Sequence, residues 1–387
     1  MNQQTRKIKC PRESLRAELE STREKFHALL AGLTGADWHI PSGNPAWTIG
    51  ELMYHVAMGQ VVISIGAKIL RKGRRLPIPA GALIDQLNVY TTRRAARGHT
   101  RQSVAKIYDE QHARVLRALD GVRDDEWQNG ATYPDIDPPL LAGFVTVEDL
   151  FRSQAHHFEQ HAADVRAGLD ILRVAGEKHT DSPVPFQQRT QGFMSYPGRG
   201  WQKAMFKAPI QLWRLGFAPL VGRITMLITQ TGRKSGLPRR TMVEYHPLDG
   251  VKYVPVAFGR KAQWYKNIEA DPRVTIQTAD GVERMQAVRV TGDRELLAVY
   301  NLFSRRDPPL TRWYLKSLDI NPDDPLDVLL KKDRIYWLRF DPITDDLNKS
   351  DDLFRSSPPP LEADLKWVLP AVAAGLVGAW LFSRRKK

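Results

Sequence analysis

Apolar residues recur at helical spacing in four stretches of the first 170 residues: Ser14–Leu33, Trp47–Leu70, Ser103–Leu119 and Thr146–Leu169. The last opens on Thr146-Val-Glu-Asp149, which reads as a capping box with Asp149 in the place of the usual Glu or Gln. The connections are long and polar, as in Gly73–Asp85. Four helices of this length predict a bundle over residues 12–170. Residues 171–200 carry Pro183, Pro185 and Pro197 among polar residues and read as a linker. Beyond it the period changes. A basic, aromatic helix is expected over Trp201–Leu215. Short strands follow at Ile224–Thr229, Thr241–His246, Lys252–Ala257, Val274–Thr278, Glu283–Val290 and Arg334–Phe340, separated by Gly, Pro and Asp. Helices are expected at Trp264–Ala270 and Asp293–Phe303. That mixture predicts a small antiparallel barrel with peripheral helices over residues 201–345. A second linker (346–366, with Ser356-Ser-Pro-Pro-Pro360) leads to an apolar helix at 367–383. The chain is therefore expected to be a multidomain α + β protein.

Composition narrows the partners. The net charge of +14 favours anionic ones, whether nucleic acid, anionic lipid or a phosphorylated cofactor. No nucleic-acid-binding motif accompanies the basic residues, so no nucleic-acid partner is expected. Cys10 is the sole cysteine, which excludes a disulfide framework and a thiolate zinc site and fits a reducing compartment. Met1–Arg12 is polar and basic and does not read as a signal peptide.

The sharpest local feature is Thr229-Gln-Thr-Gly-Arg-Lys-Ser-Gly-Leu-Pro-Arg-Arg-Thr241, between two expected strands. Gly232 and Gly236 permit a tight turn with exposed amides. With Ser235, Arg233, Lys234, Arg239 and Arg240 such amides can cradle phosphate or carboxylate; the plainer reading is a solvated basic hairpin. The Gly-Lys-Ser/Thr ending of a Walker A loop is missing. This stretch resembles the signature of the deazaflavin-dependent nitroreductase and quinone reductase family. Further matches follow in order: Tyr253-Val-Pro-Val-Ala257, Gln263-Trp-Tyr-Lys-Asn267, and Ala270-Asp-Pro-Arg-Val-Thr275. The resemblance implies an FMN-binding-like split β-barrel that binds reduced deazaflavin (coenzyme F420), whose phosphate and glutamate tail suit the cationic hairpin. It implies that Arg233, Lys234, Ser235, Arg239 and Arg240 hold that tail. Thr241 and Met242 would lie beside the ring, Ala257, Phe258 and Gly259 would run along it, and Trp264, Tyr265 and Asn267 would complete the pocket. Tyr245 is the candidate for substrate contact or proton delivery, against an ordinary place in an aromatic cluster. The loop Phe258–Gln263 is shorter than the family's and carries Arg260 and Lys261, which keeps FMN open as the alternative cofactor.

His157 and His161 stand at i, i+4 on one expected helix and share a face. With His55 from another helix they form three neutral imidazoles suited to zinc, nickel or iron; a mid-helix His is otherwise commonly structural. Residues Arg12–Leu169 resemble the DinB-like four-helix bundle family. Trp47, Thr48, Glu51 and His55 fit its second-helix motif, and His157 and His161 its fourth. The resemblance implies a divalent metal on His55, His157 and His161, and a metal-dependent thiol transferase or isomerase as the alternative activity.

Trp367–Phe382 is an uncharged run of 16 residues followed by Arg384-Arg-Lys-Lys387. At 1.5 Å per residue it spans about 24 Å, short of a ~30 Å hydrocarbon core unless the basic ends snorkel. Trp367 and Trp380 lie near its two ends, as interfacial aromatics do. The expected protein is a reductase at the cytoplasmic face of the membrane, its tail spanning or lying in the interface, with a small-molecule acceptor such as a membrane quinone or a nitroaromatic. A homodimer is possible in this reading.

Overall fold

The computed structural model describes residues 11–75, 82–133, 143–180, 208–343 and 358–384. The chain forms two compact units, Met1–Asp181 and Ser182–Lys387.

The first unit is helical: α1 (Arg12–Ala31), α2 (Ile49–Leu70), α3 (Ala82–Ala95), α4 (Arg101–Asp120) and α5 (Val147–Thr180). The four stretches with helical periodicity all form. The expected cap before α5 is made, Thr146 and Asp149 exchanging side-chain-to-backbone bonds, and Thr48 and Glu51 make a second one at the start of α2. Leu15 and Leu19 of α1, Ile63 and Leu70 of α2, Val115 and Leu119 of α4, and Leu150 and Phe151 of α5 meet in one core with Trp127. α2 is long and apolar enough to cross a membrane, but Leu52, Met53, Val56, Ile63 and Leu70 are buried inside the unit, so its hydropathy reflects its place in the bundle.

Three expectations change here. Part of the expected polar connection after α2 belongs to α3, which begins at Ala82. Two short strands, β1 (Gly130–Tyr133) and β2 (Gly143–Thr146), pair antiparallel before α5. Four residues per strand are too few to show a period. The expected linker at 171–200 begins later, because α5 runs on to Thr180; the rest of that linker lies outside the described residues.

The second unit is built on one antiparallel sheet. Its strands are β3 (Thr225–Thr231), β4 (Pro238–Glu244), β5 (His246–Leu248), β6 (Val251–Pro255), β7 (Arg273–Thr278), β8 (Gly281–Arg289) and β9 (Trp337–Pro342), in the order β4-β3-β7-β8-β9-β6-β5. Alternation puts Met226, Ile228, Val254, Val274, Ile276, Met285, Leu338 and Phe340 on one face and into one core. That core also takes Tyr265 and Ile268 of helix α6 (Gln263–Ala270). On the other face, Trp337 of β9 meets Phe303 of α7 (Asp293–Arg306) edge-on at 5.1 Å. Helices α8 (Pro308–Ser317) and α9 (Pro325–Leu330) were not legible as separate elements in the sequence. Each is short and starts on a proline after an aspartate that caps it. Of the expected entry helix, residues 208–215 are helical and 201–207 lie outside the described residues.

Residues 358–366 of the expected second linker are not a free spacer. Pro358–Leu361 lie against the sheet, Asp364 and Leu365 bond to Arg214, and α10 (Val368–Arg384) follows. Residues 346–357 fall outside the described ones. Along α10, Trp367 (just before it), Val372, Leu376, Val377 and Trp380 are exposed.

Candidate functional sites

The triad expected in the helical unit forms. The ring nitrogens of His55, His157 and His161 include one set lying within 4.8 Å of one another. His55 Nε2 and His157 Nε2 are 3.3 Å apart. Two ligand nitrogens on one tetrahedral zinc at 2.0–2.1 Å would be about 3.3–3.4 Å apart, so the pair already has the spacing of a shared ion. Neighbouring groups fix each ring. Trp47 stacks on His55 with centroids 4.4 Å apart and planes 23° from parallel. His161 Nδ1 meets Asp164 Oδ2 at 3.1 Å, which leaves the Nε2 lone pair for a metal. A Cβ on Gly59 would come within 2.9 Å of His157 Cε1, so a side chain at this helix position fits only if that ring moves. Burial, reinforced by the neighbouring rings, lowers His157 to about 3. Burial, with His161 next, lowers His55 to about 4. Burial also lowers His161, against the raising pull of Asp164. The rings are therefore neutral at pH 7, the form that ligates metal.

Glu51, part of the same sequence motif, is occupied in capping α2 through Thr48. Gly59 and Asp164 carried no ligand signal in the sequence, since neither supplies a metal-binding atom of the triad.

In the second unit the cationic hairpin β3–β4 closes on Gly232, whose N–H donates to Leu237 O at 2.9 Å, and on Gly236 at φ +66°. Arg233 is not a free cation at its tip. Its backbone N–H and Nη1 donate to Asn267 Oδ1 at 3.3 and 2.9 Å, and its Nη2 donates to Gln263 Oε1 at 2.8 Å. It locks the hairpin to α6, and Asn267, which is buried, is the lock's other half. Gln263 had no signal in the sequence for this role. Lys234, Ser235 and Arg239 are exposed, with Arg239 Nη2 3.3 Å from Ser235 Oγ. Arg240 Nε and Thr229 Oγ1 are buried, find no hydrogen-bond partner among the described residues, and sit opposite each other in the strand register.

The remaining candidates divide. Thr241 lies on the strand face of Val243, and Met242 on that of Arg240. Phe258 and Trp264 pack against the core, and Tyr265 is inside it, 5.4 Å from Tyr336. Gly259 is buried at φ +49°. Ala257 lines a pocket open to solvent, with His246, Phe303, Leu310 and Trp337. Tyr245 donates its hydroxyl to Gly222 O at 3.3 Å, and burial, with Asp280 and Glu283, raises its pKa.

Comparison with known proteins assigns both units. Residues 18–165 match the DinB superfamily, and residues 216–310 match the F420H(2)-dependent quinone reductase family. No curated protein matches the chain. One solved structure, an F420-H2-dependent reductase, is 24% identical over 30% of this chain and 93% of its own, with a TM-score of 0.23. Another, a mycothiol-dependent maleylpyruvate isomerase, is 13% identical over 71% of this chain and 92% of its own, with a TM-score of 0.33. At such scores nothing about this chain follows from either. The family matches make the protein an F420-dependent oxidoreductase by class. More particularly, it joins a DinB-like helical domain to an F420-dependent reductase domain in one chain.

Proposed function

We propose that the protein transfers hydride from reduced deazaflavin coenzyme to a small acceptor, a quinone or nitroaromatic, at the cytoplasmic face of a membrane, and that its helical unit holds a divalent metal. The observation that carries the reductase reading is the hairpin at Gly232–Thr241, braced by Arg233 on Asn267 so that Lys234, Arg239 and the Ser235 hydroxyl stay exposed. Arg240 Nε, buried and without a partner among the described residues, fits an anionic guest, because a buried donor without a partner costs about 1–3 kcal/mol until something satisfies it. The coenzyme supplies the hydride. The chain's own work is to bind and orient: Lys234, Arg239 and Arg240 hold the acidic end, and Met242, on the strand face of Arg240, lies beside the ring, whereas Thr241 shares the face of Val243. Tyr245, kept neutral, presents a hydroxyl beside the same strand. Ordinary FMN is the alternative occupant. The split β-barrel is the architecture this reading requires, and the single antiparallel sheet curling around one core supports it.

Membrane association is supported by α10, whose described side chains are exposed and largely apolar, with basic residues after it in the sequence. The metal reading is supported by the 3.3 Å spacing of His55 and His157 and by the neutral rings.

Purified protein should quench the fluorescence of deazaflavin on titration and oxidise the reduced form with menadione. Absence of quenching sinks the reductase reading. The triad favours a second activity, metal-dependent thiol transfer or isomerisation in the helical unit. It predicts consumption of a low-molecular-weight thiol that needs metal and is lost in His157→Ala.

A further inference from the structure

The segment Pro358–Lys366 covers the face of the sheet opposite the core. Thr275 Oγ1 donates to Pro358 O. Gln277 reads Leu361 at both backbone groups: its Nε2 donates to Leu361 O at 3.0 Å, and its Oε1 accepts from Leu361 N–H at 2.7 Å. Arg240 Nη2 reaches Pro360 O at 3.5 Å. Downstream, Asp364 takes a two-point ion pair from Arg214, with Nε and Nη2 at 2.8 and 2.6 Å, and Leu365 N–H donates to Arg214 O at 3.0 Å.

Strand register places these contacts beside the proposed coenzyme site. Thr275 lies level with Thr229 and, one strand further, with Arg240; Gln277 lies level with Leu227 and then Met242. Adjacent strands are ~4.8 Å apart, so the strap's anchors on β7 are about 10 Å from the two β4 residues expected to meet coenzyme. The strap's own chemistry is also suggestive of what the face recognises. An amide read at both ends by Gln277, a carbonyl beside Arg240 and a carboxylate on Arg214 are the groups of an acidic, amide-linked chain.

We propose that Pro358–Asp364 is an internal stand-in for such a ligand and an autoinhibitory cover: the glutamate tail of the coenzyme and the strap compete for the same face. This rests on the reductase reading above. The holding interactions are few and the ion pair is half exposed, with side-chain exposures of 32% for Arg214 and 48% for Asp364, so the cover is reversible. Where the closed form holds about nine-tenths of the molecules, apparent coenzyme affinity is reduced about ten-fold, in proportion to the open fraction. α10 follows the strap directly.

The test uses the full chain with Thr275→Val and Asp364→Asn combined, which removes one anchor at each end and leaves the hairpin cations untouched. Two readouts are needed, the Kd for deazaflavin from fluorescence and the exchange rate of the Leu361 amide. The expected result is faster Leu361 exchange and about ten-fold tighter coenzyme binding. Native Kd with faster exchange, or weaker binding, overturns the proposal, the second by making the strap a wall of the site. Exchange at the native rate overturns it too, since these contacts then do not hold the strap. Should no form bind deazaflavin, the reductase reading fails on its own. The cover is then judged with γ-linked triglutamate, which must accelerate Leu361 exchange in the native chain; no acceleration refutes it.

Discussion

Replacing Gly59 by Ala should separate metal affinity from stability, moving them in opposite directions. The added Cβ would stand 2.9 Å from His157 Cε1 and 3.4 Å from Nδ1. Carbon contacts settle at 3.5–4.0 Å, so the ring must retreat by about 0.6 Å or more. Metal-ligand distances tolerate about 0.2 Å, and the spacing of His55 and His157 already matches a shared ion, so the retreat falls on the metal bonds. Disturbing ligand orientation costs about 10–100-fold in affinity, or roughly 1.4–2.7 kcal/mol. The same change stabilises the interior of α2 by about 0.8–1 kcal/mol through helix propensity. In a unit of this size that is about 2–4 °C in Tm. Zinc affinity is measured by competition with a chromophoric chelator, and Tm by thermal melts in excess EDTA. A variant that binds zinc as tightly as the native protein would refute the reasoning, because the ring would then have had room. A variant destabilised in EDTA would show that the clash is relieved by the helix and not by the imidazole.

Acid should weaken the metal-free helical unit before carboxylates matter. His55 and His157 have folded pKa values lowered to about 4 and about 3, against 6.5 unfolded, so their contribution is complete above pH 6.5 and is lost as pH falls towards those values. Well below pH 6.5 each such ring costs about 1.4 kcal/mol per pH unit, and since the unfolded rings are only half protonated at pH 6.5 the pair costs about 3 kcal/mol between pH 6.5 and 5, measurable as a fall in urea midpoint in chelator. In a His55→Ala/His157→Ala variant this slope should shrink to the remainder left by the buried His161 and His112; an unchanged slope would place the acid sensitivity elsewhere. In the second unit, Arg233→Lys should weaken deazaflavin binding about ten-fold despite keeping its charge, since lysine cannot reproduce the fork that spans Gln263 and Asn267. Lys234→Ala, which removes a charge but no brace, should cost less; an equal loss would mean that charge alone matters.

The sequence by itself determined the elements whose cause is local. The periods of α1, α2, α4 and α5, the Thr146–Asp149 cap, and the alternation of β7 are set by residues a few positions apart. So is the i, i+4 pairing of His157 and His161; the third histidine, His55, came from a motif. The tertiary structure decided what depends on distant residues meeting. Arg233 read as a cation for a ligand, yet 34 residues of chain bring Asn267 back to claim it. Tyr265 read as part of a pocket and is held in the core by Tyr336. Gly59 was one helical glycine until α5 placed His157 over it, and Pro358–Asp364 was a spacer until Gln277, 84 residues earlier, bound its backbone. Short-range spacing writes periods and caps into a sequence, but a hydrogen bond or a missing Cβ acquires its meaning only from the partner that folding brings to it.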